Sequence, residues 1–418
     1  MTDIPANKDA GRFLGYFAVG IMALPVVFIT IFAAADGFGH HHISIRLTIL
    51  VGFSLLTVVL ARRYFAGSVF AALPLRSWIM IGILFAIAVS RLSLADANFQ
   101  LTIERTAMWL VYLILGLVFL CVFRQASPNG VLFTVLAALA GASALYACLM
   151  AAWFMYNGPP SGPLCTNSMP GFKNVRYTVY FSGPALSLAV AIAAMGRASL
   201  AMRFLAGVIA IILWLYIEYT GARGAAVAIG AAGLLLLLIA PIPVSTRVVA
   251  AVVVTVIITF GISQIVPPAD CTSFGMFHRF QGTVESQSPD TGRIEIWLMT
   301  WELIKERPWL GYGEIRLFNF FDTHVTQPHN GLLQLILTWG FVGAAVFLAL
   351  IGELLIRLAM ASRQAPWQAW PIIFSIVTFL IYSQISGALY HAFPLLFATI
   401  LSAAAAAMLF RSNVHQDV

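Results

Sequence analysis

Charge is what this sequence has least of. Only 9% of its 418 residues are charged, against 61% hydrophobic, whereas a soluble domain carries roughly a quarter charged residues. This excludes a soluble globular protein and leaves a polytopic membrane protein. Cysteine numbers only four, and Cys121 and Cys148 fall inside apolar runs, where they serve as small apolar residues. No Asp-x-Asp pair is present to clamp a divalent cation against a phosphate, and the acids of the polar segments, Asp270, Asp290, Glu314 and Asp322, are scattered, so no metal is expected. No internal repeat of the transporter kind is visible, and Glu218 and Glu353 lie near the ends of apolar runs rather than at mid-membrane. No small-residue cleavage pattern follows the first apolar run, so no cleavable signal is expected.

What is present is a series of apolar runs long enough to cross roughly 30 Å of hydrocarbon as helices. They fall at 13–35, 46–61, 76–93, 106–123, 131–155, 178–196, 204–220, 225–240, 248–266, 331–356, 369–388 and 392–410. The expected fold is therefore all-α, with about 12 transmembrane helices. Residues 1–266 hold nine spans and a smaller loop at 157–177. Residues 267–330 form one large polar and aromatic loop, and residues 331–418 hold the last three spans.

With both termini on one face, Lys8, Arg12, Arg62, Arg63, Arg76, Arg124, Arg197, Arg203, Arg247, Arg357, Arg363 and Arg411 gather in short loops there, which satisfies the positive-inside rule. Cations also collect in the two long outer loops. Either they attract an anionic ligand or they snorkel to lipid phosphates. Cys165 and Cys271 share those loops, and a disulfide tying them together is expected if the compartment is oxidising.

Within the long loop, Ser288-Pro289-Asp290-Thr291 precedes a segment in which Ile294, Trp297, Trp301 and Ile304 recur at helical spacing. Asp290 or Thr291 can cap this helix and Pro308 stops it. Arg293 sits in its first turn, where the helix dipole disfavours a cation. A phosphate shared between Arg293 and the helix start would relieve the conflict; the alternative is an ordinary solvated arginine. Thr220-Gly221-Ala222-Arg223-Gly224 joins two spans with almost no loop, holding Arg223 near the outer interface. It can bind phosphate with paired donors or serve as a turn residue beside Glu218.

Arg293 and Trp297 four residues apart, Pro308-Trp309-Leu310-Gly311-Tyr312-Gly313, His329-Asn330 entering an apolar run, and Gly340 with Gly343 inside it together resemble the signature of the O-antigen ligase and polymerase superfamily. The signature covers about 50 residues, and the span count and loop placement extend the likeness along the chain. The resemblance implies a bacterial inner-membrane glycosyltransferase with its loops in the periplasm. Its donor would be an undecaprenyl-pyrophosphate-linked O-antigen and its acceptor lipid A core oligosaccharide, with membrane lipids as surroundings, no cofactor and no nucleic acid partner.

The resemblance also assigns roles. Arg223 and Arg293 would hold the pyrophosphate, helped by Arg279 and Arg316, with Trp297 and Asn330 also in the binding site. His329 would take the proton of the acceptor hydroxyl, and a one-step displacement would invert the anomeric centre. Read without the resemblance, His329 is as compatible with a hydrogen-bonding packing residue. Asp36, in the first outer loop, is a rival base. His40-His41-His42 cannot all face one ion from a regular helix, so polarity at a span end explains it better. Polymerases of the superfamily often carry arginine eleven residues before glycine in two outer loops. Here the one match, Arg105 to Gly116, runs into a span, and protein O-oligosaccharyltransferases usually add a soluble C-terminal region, so a ligase is favoured. A transporter for lipid-linked glycan is the alternative from another class.

Overall fold

The computed structural model of the chain describes residues 73–92, 99–157, 175–239, 256–258, 260–261, 275–276, 292–315, 317–322, 325–364 and 367–412. Regular structure among these residues is helical throughout, without a strand. In chain order the helices are α1 (Leu75–Leu92), α2 (Phe99–Gln125), α3 (Pro128–Asn157), α4 (Val175–Ala194), α5 (Leu200–Tyr219), α6 (Arg223–Ile239), α7 (Arg293–Glu306), α8 (Gly331–Gln364), α9 (Ala369–Ser383) and α10 (Ala392–Ser412). Seven of them, α1 to α5, α8 and α10, are long and apolar enough to cross a membrane, and α6 and α9 are shorter apolar helices. The chain is an all-α polytopic membrane protein. The apolar runs at 13–35 and 46–61 lie outside the described residues, as does most of 248–266.

The helices form two compact units. The first holds α3 to α6 and α9. Tyr146 of α3 meets the rings of Phe181 on α4 and Tyr216 on α5 edge-on, and the Tyr216 hydroxyl shares a 2.6 Å hydrogen bond with Thr178, so a buried polar pair is satisfied inside an apolar core. Helix α3 widens into a π turn at Leu136–Gly141. Between α5 and α6 the chain reverses at Thr220-Gly221-Ala222, where Gly221 takes φ 64°, a left-handed conformation that glycine adopts without a Cβ penalty. Helix α6 starts at Arg223.

The second unit holds α1, α2, α7, α8 and α10. Trp109 of α2 packs on Trp339 and Phe347 of α8 with ring centroids 5.1 and 6.3 Å apart. Glu353 of α8 accepts from Arg357 at 2.8 Å and also pairs with Arg76 of α1. The most consequential feature is a break in α8. Gly340 takes φ 66° and ψ −177°, outside helical geometry and in a region all but reserved for glycine. The break strands carbonyls before it and amides after it, and the segment following α7 supplies their partners. Tyr312 N donates to Leu337 O at 2.8 Å, Gly313 N to Thr338 O at 2.9 Å, Phe341 N to Pro308 O at 2.7 Å and Val342 N to Trp309 O at 3.2 Å.

The Pro308–Gly313 strap is thus laid backbone to backbone across the broken span. A Cβ on Gly311 would lie 2.6 Å from Gly340 N, and one on Gly340 would collide with the Trp309 carbonyl. The glycines of the two signature elements are therefore each other's reason: neither backbone could approach the other if it carried a side chain.

Candidate active site

Helix α7 begins at Arg293, with Gly292 in the left-handed region at φ 75° and no side-chain cap. The cap position is thus held by a glycine; Asp290 and Thr291, expected as caps, lie outside the described residues. The helix ends at Glu306, just before Pro308, as expected. Its buried side is not the predicted stripe. Thr300, Leu303 and Ile304 are buried and Trp297 is half-buried, while Ile294 and Trp301 are exposed. The apolar residues form two faces rather than one, and the one that carries Thr300, Leu303 and Ile304 is buried.

The buried side fixes two loops. Trp297 Nε1 donates to the Pro328 carbonyl at 2.9 Å, and Arg293 Nη1 donates to the Ile385 carbonyl at 2.9 Å. Both bonds use only part of what the residues offer. Arg293 keeps further donors of its guanidinium fork, and the Trp297 ring keeps its faces. Next to Pro328, His329 takes φ 53°, and it is the one non-glycine residue with positive φ among the described residues. Asn330 then caps α8: its Oδ1 accepts from Leu333 N at 3.0 Å. His329 is therefore gripped on both sides, by an indole through its predecessor and by a helix cap through its successor. A non-glycine residue in the left-handed region costs energy, so the surroundings must impose it.

The turn after α9 closes this cluster. The apolar run expected at 369–388 stops as a helix at Ser383, because Gln384, Ser386 and Gly387 break its apolar character, and a short 3-10 turn follows at Ala388–Tyr390. Gln384 Oε1 accepts from Leu332 N at 3.2 Å, so side chains from two directions satisfy the first turn of α8. Gln327, buried two residues before His329, lies 3.2 Å from His391 Nε2. Gln384 and His391 were missed in the sequence because nothing in or just after an apolar run at 369–388 signals that its end returns to the His329 turn, which is also where Gln327 finds its partner.

The electrostatics follow from burial and from Arg293. Burial, with the Arg293 charge as a smaller cause, pushes the His329 imidazole down to about 4, so it is neutral at physiological pH and has a lone pair to offer. Just after the strap, Glu314 is buried and its Oε2 has no hydrogen-bond partner, while Thr102 donates to its backbone carbonyl at 3.5 Å. Burial raises the Glu314 carboxyl, with Arg105 opposing. Together with Arg91, Thr102, Thr106 and Thr338 it lines a cavity of about 10 Å³, close to the room one water needs. Among the described residues, no three His, Cys, Asp or Glu side chains gather as a metal site would require.

The second unit thus brings Arg293, Trp297, His329 and Asn330 into one cluster. Arg223 belongs to the first unit, at the start of α6. There the hairpin is braced by residues of the long loop: Gly275 N donates to Tyr219 O at 2.9 Å, and Glu218 accepts from the Met276 backbone. Arg279, Arg316, Asp36, His40, His41, His42, Cys165 and Cys271 lie outside the described residues.

Residues 185–348 match a family model described as O-Antigen ligase. The matched stretch includes Arg223, Arg293, Trp297, the strap, His329, Asn330 and the glycines of the broken helix. It supports an O-antigen ligase-type protein, a family of ligases and polymerases that are membrane glycosyltransferase-like enzymes acting on lipid-linked polysaccharide. No curated protein matches the chain.

Proposed function

We propose that this chain is an O-antigen ligase. It would transfer O-antigen polysaccharide from undecaprenyl pyrophosphate to lipid A core oligosaccharide at the periplasmic face of the bacterial inner membrane, by metal-independent, inverting glycosyl transfer. The observation that carries the reading is the grip on His329: a neutral imidazole in a strained turn, beside an arginine, at the mouth of a membrane span.

In the reaction, the acceptor hydroxyl oxygen attacks the anomeric carbon from the face opposite the pyrophosphate. The bond from that carbon to the pyrophosphate oxygen breaks, and its electron pair stays on the leaving group. The hydroxyl proton passes to His329. Arg293, anchored through one nitrogen on Ile385 O, directs its remaining donors at the departing phosphate. Arrival of that anion offsets the Arg293 charge that helps depress His329, so its basicity rises when the donor is bound.

Roles for Arg223, Arg279 and Arg316 as further pyrophosphate ligands rest on the sequence and on the family, as does the Cys165–Cys271 bridge. Asn330 and Trp297, proposed as binding residues, also carry structural duties as helix cap and turn anchor.

The test is product identity. Purified protein receives undecaprenyl-pyrophosphate glycan and lipid A core, with chelator and without nucleotide. Glycan on lipid A core, lost in Arg293→Ala, supports the ligase. Chain growth on the donor alone would make the protein a polymerase, glycan on serine or threonine a protein oligosaccharyltransferase, and movement of intact donor across the membrane a transporter.

A further inference from the structure

Helix α7 has an apolar face that its packing leaves unused. Ile294, Leu298 and Trp301 follow one another at i, i+4 and i+7, and they are 53%, 61% and 41% exposed. Trp309, 69% exposed, and Leu310 extend the face into the strap. The Trp301 ring meets Phe341 of α8 edge-on at 6.2 Å, and Phe341 and Val342 are themselves exposed. The face therefore continues onto the exposed flank of a membrane span, and in a membrane span such a flank meets acyl chains.

Depth along α8 shows which part of the bilayer this is. Beyond the break the helix runs on from Phe341 to Gln364, about 36 Å at 1.5 Å per residue, while the hydrocarbon layer is about 30 Å thick. Part of it must stand outside. Glu353, paired with both Arg357 and Arg76 of α1, marks one boundary. On α1, Arg91 marks the other: it donates to Gly311 O at 3.2 Å and lies about 22 Å along the helix from Arg76. Gly340 lies about 25 Å along α8 from Arg357. The break, the strap and Phe341 thus come level with the boundary marked by Arg91. The kink turns the segment before the break, which carries His329, off the axis of the span. Tryptophans at 301 and 309 suit that level, where an apolar ring and a polar N–H are both satisfied.

We propose that α7 and the strap form an interfacial anchor, with Ile294, Leu298, Trp301, Trp309 and Leu310 inserted among the acyl chains of the leaflet on the His329 side. The buried flank of α7, roughly a quarter turn round the helix, then holds Arg293 at the depth of the lipid phosphates. A lipid-linked anion reaches it by lateral diffusion without leaving the membrane. This inference rests on the span assignment and not on the chemistry of transfer.

The test places a nitroxide on Leu298→Cys, Trp309→Cys and, as a control on the polar side, Glu295→Cys, in protein reconstituted in phosphatidylglycerol and phosphatidylethanolamine vesicles. The parent chain, labelled in parallel, supplies the background of the native cysteines. All three positions are exposed, and gel filtration verifies the fold. The ratio of collision rates with oxygen, which concentrates in lipid, to those with a water-soluble nickel chelate is expected to be several-fold higher at 298 and 309 than at 295. Equal ratios at the three positions would overturn the proposal by placing the face in water. Slow collision with both reagents at 298 and 309 would overturn it by showing the face covered by protein.

Discussion

Replacing Gly340 by alanine tests the broken helix most sharply. The residue sits at φ 66° and ψ −177°, where an L side chain costs about 1–3 kcal/mol. Its new Cβ would also collide with the Trp309 carbonyl, so the strap must lift. Lifting it forfeits the backbone hydrogen bonds at Tyr312, Gly313, Phe341 and Val342, each worth about 1 kcal/mol net and more if the freed groups stay buried. The sum is about 5 kcal/mol or more, enough to unfold the second unit or detach the strap. Gly352→Ala is the control: it lies in the same helix with nothing within 4 Å of its added Cβ, and alanine there gains up to about 1 kcal/mol in helix propensity. Thermal unfolding in detergent, followed by tryptophan fluorescence, should show Gly340→Ala melting well below wild type and Gly352→Ala at or above it. Amide exchange at Phe341 and Val342 should accelerate in Gly340→Ala alone. Equal melting of the two variants, with Phe341 still protected, would refute the strap as the partner of the break.

The other predictions concern the His329 turn. Because the folded state holds this imidazole down to about 4, below its ordinary 6.5, its contribution to stability is complete above pH 6.5 and is lost as pH falls toward 4. The full loss is of order 3 kcal/mol at 1.36 kcal/mol per unit. Glu314 acts with the opposite sign, so the readout is the difference between wild type and His329→Asn in denaturant unfolding against pH, and that difference should become independent of pH above about pH 7. Asn330→Ala should cost about 1 kcal/mol through the lost cap, and Asn330→Ser should recover most of it, measured by thermal unfolding. Trp297→Phe removes the bond to the Pro328 carbonyl and should cost about 1 kcal/mol of stability. Its larger effect should fall on kcat, because it loosens His329 without touching the reacting atoms.

The sequence exposed the parts of the fold that are local and periodic. The run at 76–93 became α1 at Leu75–Leu92, and the helix between Thr291 and Pro308 became α7 at Arg293–Glu306. Hydropathy and a proline stop suffice for these. The break at Gly340 was not legible, because the run from 331 to 356 is uniformly apolar and the partners of the break lie some thirty residues earlier in the chain. The buried side of α7 was misread for a related reason: with apolar residues on two faces, periodicity cannot say which one the protein takes and which is left exposed. At the site, residue type singled out Arg293 and His329. The bonds to Ile385 and Pro328 that position them are made by backbone carbonyls, which no residue type announces.

The most direct test of His329 as the proton acceptor is the turnover of His329→Asn under saturating donor and acceptor. Asparagine tolerates the left-handed turn that this position requires but cannot accept the proton at neutral pH. Loss of a general base predicts a fall in kcat of about 100-fold or more, with donor KM near wild type and an unchanged unfolding temperature. Turnover at the wild-type rate in the folded variant would contradict the account and bring Asp36 forward as the base.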